Sequence, residues 1–143
     1  MTVTPIDLFA YAVHLRRDGR LRAERTQFDA ERDGWQLTAF HADSDADLHA
    51  DHWEIHPHAD ELVSCLSGGL RLVLGAQEQD QKQEDEDGHR DGGEEEEEEI
   101  ALTAGTAAIV PRGRRHRLEL DSPGDLLSLT LPRGTRLAER APD

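Results

Sequence analysis

The sequence predicts an all-β domain. Three observations carry that expectation. From Trp35 onward, short segments alternate apolar and polar residues; turn-forming clusters separate most of them; and no helical periodicity is long enough to compete. A chain of 143 residues suits one domain with a real core.

Taken in order, TPIDLF reads as a short helix start. Thr4 can cap it, Pro5 suits the first helical position and Asp7 the first turn. AYAVHLRRDG is extended and ends in a turn at Asp18–Gly19. Residues 20–33 are polar and ambiguous, with QFDAER compatible with one or two helical turns. Eight strands follow: WQLTAFHA, HADHWEIHP, DELVSCLS, GLRLVLG, EIALTA, TAAIVP, RHRLEL and DLLSLTL. Turn signals SDAD, SGG, AGT, PRGR and DSPGD punctuate them, a pattern that suits a sandwich or a barrel.

The charge is uneven. The formal net charge is -15, but residues 76–99 hold 13 acids against two bases, leaving 18 acids and 14 bases elsewhere. This low-complexity segment offers almost nothing to bury, so it is expected to be a solvated loop between two strands rather than a cation-binding tract. His89, within it, is expected to be inert. No basic stripe suits a nucleic-acid backbone, so nucleic acid is not an expected partner. No apolar run approaches the roughly 18 residues of a membrane helix. The N-terminal residues lack a secretory pattern, and a cytoplasmic location is expected. A single cysteine, Cys65, excludes an intrachain disulfide and a cysteine zinc cluster. It is expected to be a small buried thiol.

The stretch HWEIHPHADE concentrates metal-capable side chains. Residues two apart share a strand face, so His52, Glu54, His56 and His58 would form one row, with Trp53, Ile55 and Pro57 facing the other way. A solvated polar face alternates in the same manner. Pro57 is expected to bend the strand and take His58 off the row, to the rim.

Downstream, GTAAIVPRGRRH runs Gly105, five residues, Pro111, one residue, Gly113, two residues, His116. This spacing resembles the second motif of the cupin superfamily, although Leu120 stands where an asparagine often follows. Glu61, LVSCLS and Gly68 resemble the second half of the first cupin motif. Counting back places His56 at the second histidine of that motif and Glu54 where the first would be, a Glu-x-His variant. The resemblance covers roughly residues 35–133, and the acidic loop falls in the variable region between the motifs.

The resemblance implies a single small bacterial-type cupin over residues 1–143: a double-stranded β-helix, or jelly-roll barrel, with a short N-terminal helical or extended segment. It also implies a metal set of Glu54, His56, Glu61 and His116, with His52 or His58 as substitutes for Glu54. Such donors suit one divalent transition metal: Fe, Mn, Ni or Zn. Arg112, Arg114 and Arg115 then belong to the turn that aims His116. The expected function is a metal-dependent enzyme acting on a small polar metabolite, with Glu61 or His58 as the candidate proton carrier. The rival is a metal-free module that binds or senses a small molecule. A homodimer is expected too, because the last strand places Leu127, Leu129 and Leu131 on one face and Leu126, Ser128 and Thr130 on the other, so an apolar strip remains to be covered.

Overall fold

The computed structural model describes residues 2–77 and 97–140. Most of the acidic segment, with His89, lies outside the described residues. Eleven strands are present among them: β1 (Tyr11–Leu15), β2 (Leu21–Arg25), β3 (Trp35–Ala42), β4 (His52–Ile55), β5 (Glu61–Cys65), β6 (Gly69–Gln77), β7 (Glu98–Thr103), β8 (Thr106–Val110), β9 (Arg114–Ser122), β10 (Gly124–Thr130) and β11 (Arg136–Glu139). A 3-10 turn at Asp45–Leu48 fills the SDAD punctuation.

The strands form two antiparallel sheets. One has six strands in the order β2-β1-β3-β10-β5-β8; the other has five, β11-β4-β9-β6-β7. Their inner faces enclose the core. Val63, Cys65, Val110 and Leu126 come from the first sheet, and Leu70, Leu72, Leu74 and Leu102 from the second. Burying each such leucine is worth about 1.5–3 kcal/mol, so this layer supplies much of the drive to fold.

Two expectations need correction. The sheets are not closed into a barrel: among the described residues no hydrogen-bonded ladder joins them. Consecutive strands β7 and β8 are both edge strands, in different sheets, and the chain changes sheet at the corner made by Gly105 (φ +87°). Stacked sheets lie about 10 Å apart, twice the spacing a ladder bridges, so the corner closes the sandwich by packing alone. The N-terminal helix is also not formed. Asp7 makes a single turn instead, its carboxylate accepting from the Phe9 N–H and its carbonyl from those of Ala10 and Tyr11. Residues before it are exposed, so no buried face prolongs the helix.

The inner face of the six-stranded sheet changes character along its length. Phe40 pairs with Leu126, and Leu126 with Cys65. One pair further on, Thr38 faces Ser128, and then Gln36 faces Thr130. The core end is apolar and the other end is polar. The outer face carries the row Val13–Leu37–Leu129–Leu62–Ile109, each residue paired with the next, ending at an exposed Ile109.

On the outer face of the five-stranded sheet, the guanidinium groups of Arg115 and Arg117 lie 4.8 and 4.5 Å from the Trp53 ring centroid. Desolvated contacts of this kind hold β4 against β9. They fix the register in which Glu54 stands opposite His116. Gly75 makes room for this stack, because a Cβ there would meet the Arg115 side chain.

Candidate metal centre

Four donors meet at the polar end of the sandwich. Glu54 comes from β4 and His116 from β9, both in the five-stranded sheet, and His56 directly follows β4. Glu61 opens β5 in the opposite sheet, so the cluster bridges the two layers. One ligand atom from each of the four lies within 4.8 Å of all the others, and the group could hold a metal ion. His56, Glu61 and His116 are 3%, 6% and 2% exposed, while Glu54 is partly open to solvent.

Local structure places each donor. β4 ends at Ile55, and the chain bends through Pro57, which turns His58 outward to an exposed position against Gly134. His58 is not among the clustered donors, nor is His52, whose Nδ1 pairs with Asp51. The PRGR turn is tied back to the first motif: the Gly113 N–H donates to the His56 carbonyl, and the Arg112 N–H to Asp60. Gly113 has φ +78°, a conformation that glycine adopts without strain, and the turn then delivers His116 into the sandwich.

The hydrogen bonds orient both imidazoles alike. His116 Nδ1 lies 3.1 Å from the Arg114 carbonyl, which only accepts, so that nitrogen carries the proton. Its Nε2 faces Glu61 Oε1 at 2.9 Å, a contact that a proton or a metal ion must bridge. His56 Nδ1 meets Thr135 Oγ1 at 2.9 Å. Its Nε2 stands 3.0 Å from Glu54 and 3.1 Å from Glu61, yet it is buried and neither contact has the alignment of a hydrogen bond. Thr130 donates its hydroxyl to Glu61 Oε2 at 2.7 Å. Two imidazole nitrogens thus converge on carboxylate oxygens, with space between them for a cation. This donor set, with each Nδ1 engaged elsewhere, fits a divalent transition metal.

Without a metal, protons take up the imbalance. Burial opposes charge on His56, but the carboxylates of Glu54 and Glu61 outweigh it and push its pKa up to about 10. Burial also opposes charge on Glu61, but His116 and His56 hold its pKa down to about 2.

A cavity of about 210 Å³ adjoins the cluster, lined by Glu54, His56 and Glu61 on one side. Cys65 does not line it; its thiol is buried and donates to the Ser67 carbonyl. Spacing within the motifs gave no sign of Thr130 or Thr135. Thr130 does lie on the alternating face with Ser128, which was the available signal; Thr135 falls in a turn beyond the last strand read from the sequence.

No family model matches the chain, and no curated protein matches it. Solved structures do resemble it. A hydroquinone 1,2-dioxygenase, PnpCD, determined with Cd2+ and 4-hydroxybenzonitrile, is 20% identical, with 68% of this chain and 57% of that one covered and a TM-score of 0.47. A cupin-2 domain protein from Shewanella frigidimarina NCIMB 400 is 17% identical over 73% of this chain and 78% of its own, with a TM-score of 0.45. Oxalate oxidase in complex with glycolate is 18% identical over 72% and 44%, again with a TM-score of 0.45. The fold is an antiparallel β-sandwich that carries both cupin-like motifs. Two antiparallel sheets stack face to face, with the first motif on β4 and β5 and the second on β8 and β9. The likeness is one of fold alone, and the chain spans little more than half of the dioxygenase chain.

Proposed function

We propose that this chain is a metal-dependent enzyme that works on a small molecule in the cavity beside Glu54, His56, Glu61 and His116. The observation that supports it is the convergence of two Nδ1-anchored imidazoles on two carboxylates, three of the four residues being buried. The chain acts as one domain, because both sheets supply donors to the same site.

A divalent metal held there supplies Lewis acidity toward a substrate oxygen. The chain's own residues do the rest. The Arg114 carbonyl fixes the tautomer of His116, and Thr135 holds the ring of His56. Thr130, on the neighbouring strand β10 of the same sheet, steadies Glu61. Glu54 is the donor most open to solvent and also lines the cavity. Phe28 and Phe40 add apolar surface to the cavity lining.

The test is elemental analysis of protein purified without metal-affinity steps or chelators. Close to one equivalent of a first-row metal per chain is expected. A metal-free protein that still binds small molecules in the cavity would favour the binding module over the enzyme.

The partners of the imidazoles give a finer expectation. Thr135→Val removes the acceptor for His56 Nδ1–H while keeping the side chain's shape. Outer partners of this kind typically change metal affinity about 10–100-fold, so a competitive chelator titration should show a loss in that range, and the thermal midpoint of the metal-free protein should also fall because the buried Nδ1–H loses its acceptor. An unchanged affinity would show that His56 does not need this contact.

A further inference from the structure

The cavity has one hydrogen-bonding wall that the fold does not require. Inner faces of stacked sheets are ordinarily apolar, as this one is where Phe40 and Leu126 pair. Next to the metal-capable cluster, however, the same two strands present Gln36, Thr38, Ser128 and Thr130, all four of which line the cavity. They form a compact block, since Thr38 is paired with Ser128 and Gln36 with Thr130.

Their existing bonds define what they offer. Gln36 Nε2 donates to Thr38 Oγ1 at 2.9 Å, so the Thr38 hydroxyl keeps its own hydrogen to give. Thr130 gives its hydrogen to Glu61, so its oxygen keeps a lone pair to accept with. The Ser128 hydroxyl has no hydrogen-bond partner among the described residues and can do either. A wall that both donates and accepts suits hydroxyl groups, which also do both. It suits carboxylates, which only accept, or ammonium groups, which only donate, less well.

Charge points the same way. Two carboxylates line the cavity, and among the described residues no lysine or arginine does. Arg114 shares the face of His116, but its guanidinium is engaged with the Gly75 carbonyl at 2.6 Å and with Glu98 at 3.8 Å. A divalent cation between two carboxylates and two neutral imidazoles leaves the site without net charge. An anionic ligand would then bring an unpaired charge into a partly dry site, which is costly. The lining also has an apolar part, Phe28, Phe40, Val63, Leu118 and Pro132, beside the uncharged polar residues Thr26, Gln27 and Thr135. At about 210 Å³ the cavity is below the range of drug-sized pockets, which limits the ligand to one small ring or a short chain.

We propose that the cavity binds a small uncharged molecule with hydroxyl groups along one edge and an apolar face along the other, and that Thr38 and Ser128, with Gln36 and Thr130, select it. This rests on the metal-site reading above for its charge argument, whereas the hydrogen-bonding wall stands apart from it.

Calorimetry on the protein loaded with zinc tests the proposal with two probes that share a ring: resorcinol, which is neutral, and 3-hydroxybenzoate, which is anionic. Resorcinol should bind at least about tenfold more tightly. A Thr38→Val/Ser128→Ala double variant should weaken resorcinol about tenfold, the combined loss of two ordinary hydrogen bonds, with zinc content unchanged. Ser128→Ala alone, a smaller perturbation, should weaken it about threefold at an unchanged thermal midpoint, which guards against a double variant that fails to fold. Tighter binding of 3-hydroxybenzoate, binding of neither probe, or full resorcinol affinity in Ser128→Ala would each overturn the assignment. Zinc content measured on the same samples separates the two readings. Wild-type protein that takes up no zinc sinks the metal site, while resorcinol binding and its loss in Ser128→Ala still decide the wall.

Discussion

His56→Ala and His116→Ala should each purify without stoichiometric metal, while Glu54→Ala should retain part of it. The two histidines are the buried neutral donors of the cluster, and each is held by a partner that leaves its Nε2 pointing inward. Removing either one leaves a carboxylate-rich remnant that favours harder, more weakly bound cations. Glu54 lies at the open side of the cluster, where water can replace its oxygen. The variants should also lower the stability of the metal-free fold. Glu61 is buried in the layer between the sheets and pairs with both rings, so deleting one partner removes a charge-assisted contact worth about 1.5–3 kcal/mol. Elemental analysis and thermal midpoints of chelator-treated proteins measure the two effects separately. Unchanged metal content in both histidine variants would sink the assignment of this cluster as the metal site.

The strands that carry the cluster were legible because each alternates apolar and polar residues between turn signals. β3, read as WQLTAFHA, runs Trp35–Ala42. Strands β2 and β11 were not legible. LRAER is almost wholly exposed and RLAE entirely so, leaving neither with an apolar face to mark it. The barrel expectation failed for a related reason: periodicity shows which face of a strand is buried, but not whether the edge strands of two sheets bond to each other. The four donors could be named from motif spacing, which the turns enforce locally. Thr135 could not. It reaches His56 across 79 residues of chain, through a stacking of turns that no local pattern encodes. The bend expected at Pro57 does end the alternation of His52, Glu54 and His56 and carries His58 away.

Metal uptake at pH 8 should release about one proton per chain. In the metal-free protein His56 has a pKa of about 10, because two carboxylates outweigh its burial, so it is protonated at that pH. Its Nε2 can bind a metal only after losing that proton. Apparent affinity should therefore fall about tenfold for each unit of pH below 10, or roughly 10³-fold between pH 9 and pH 6. The stability of the metal-free fold runs the opposite way over this range. A histidine pKa raised from 6.5 contributes fully below 6.5 and loses that contribution as pH rises toward about 10. Glu61, lowered from 4.5 to about 2, contributes above 4.5 and loses that as pH falls toward about 2. The metal-free protein is thus best held between pH 4.5 and 6.5, and metal restores at high pH the positive charge that His56 gives up. The gap in thermal midpoint between metal-loaded and metal-free protein should widen steadily from pH 6 to pH 9. Calorimetric titrations in two buffers of different ionisation enthalpy count the proton directly. An affinity flat across this range, or no proton released, would mean that the imidazole of His56 is not exchanged between proton and metal.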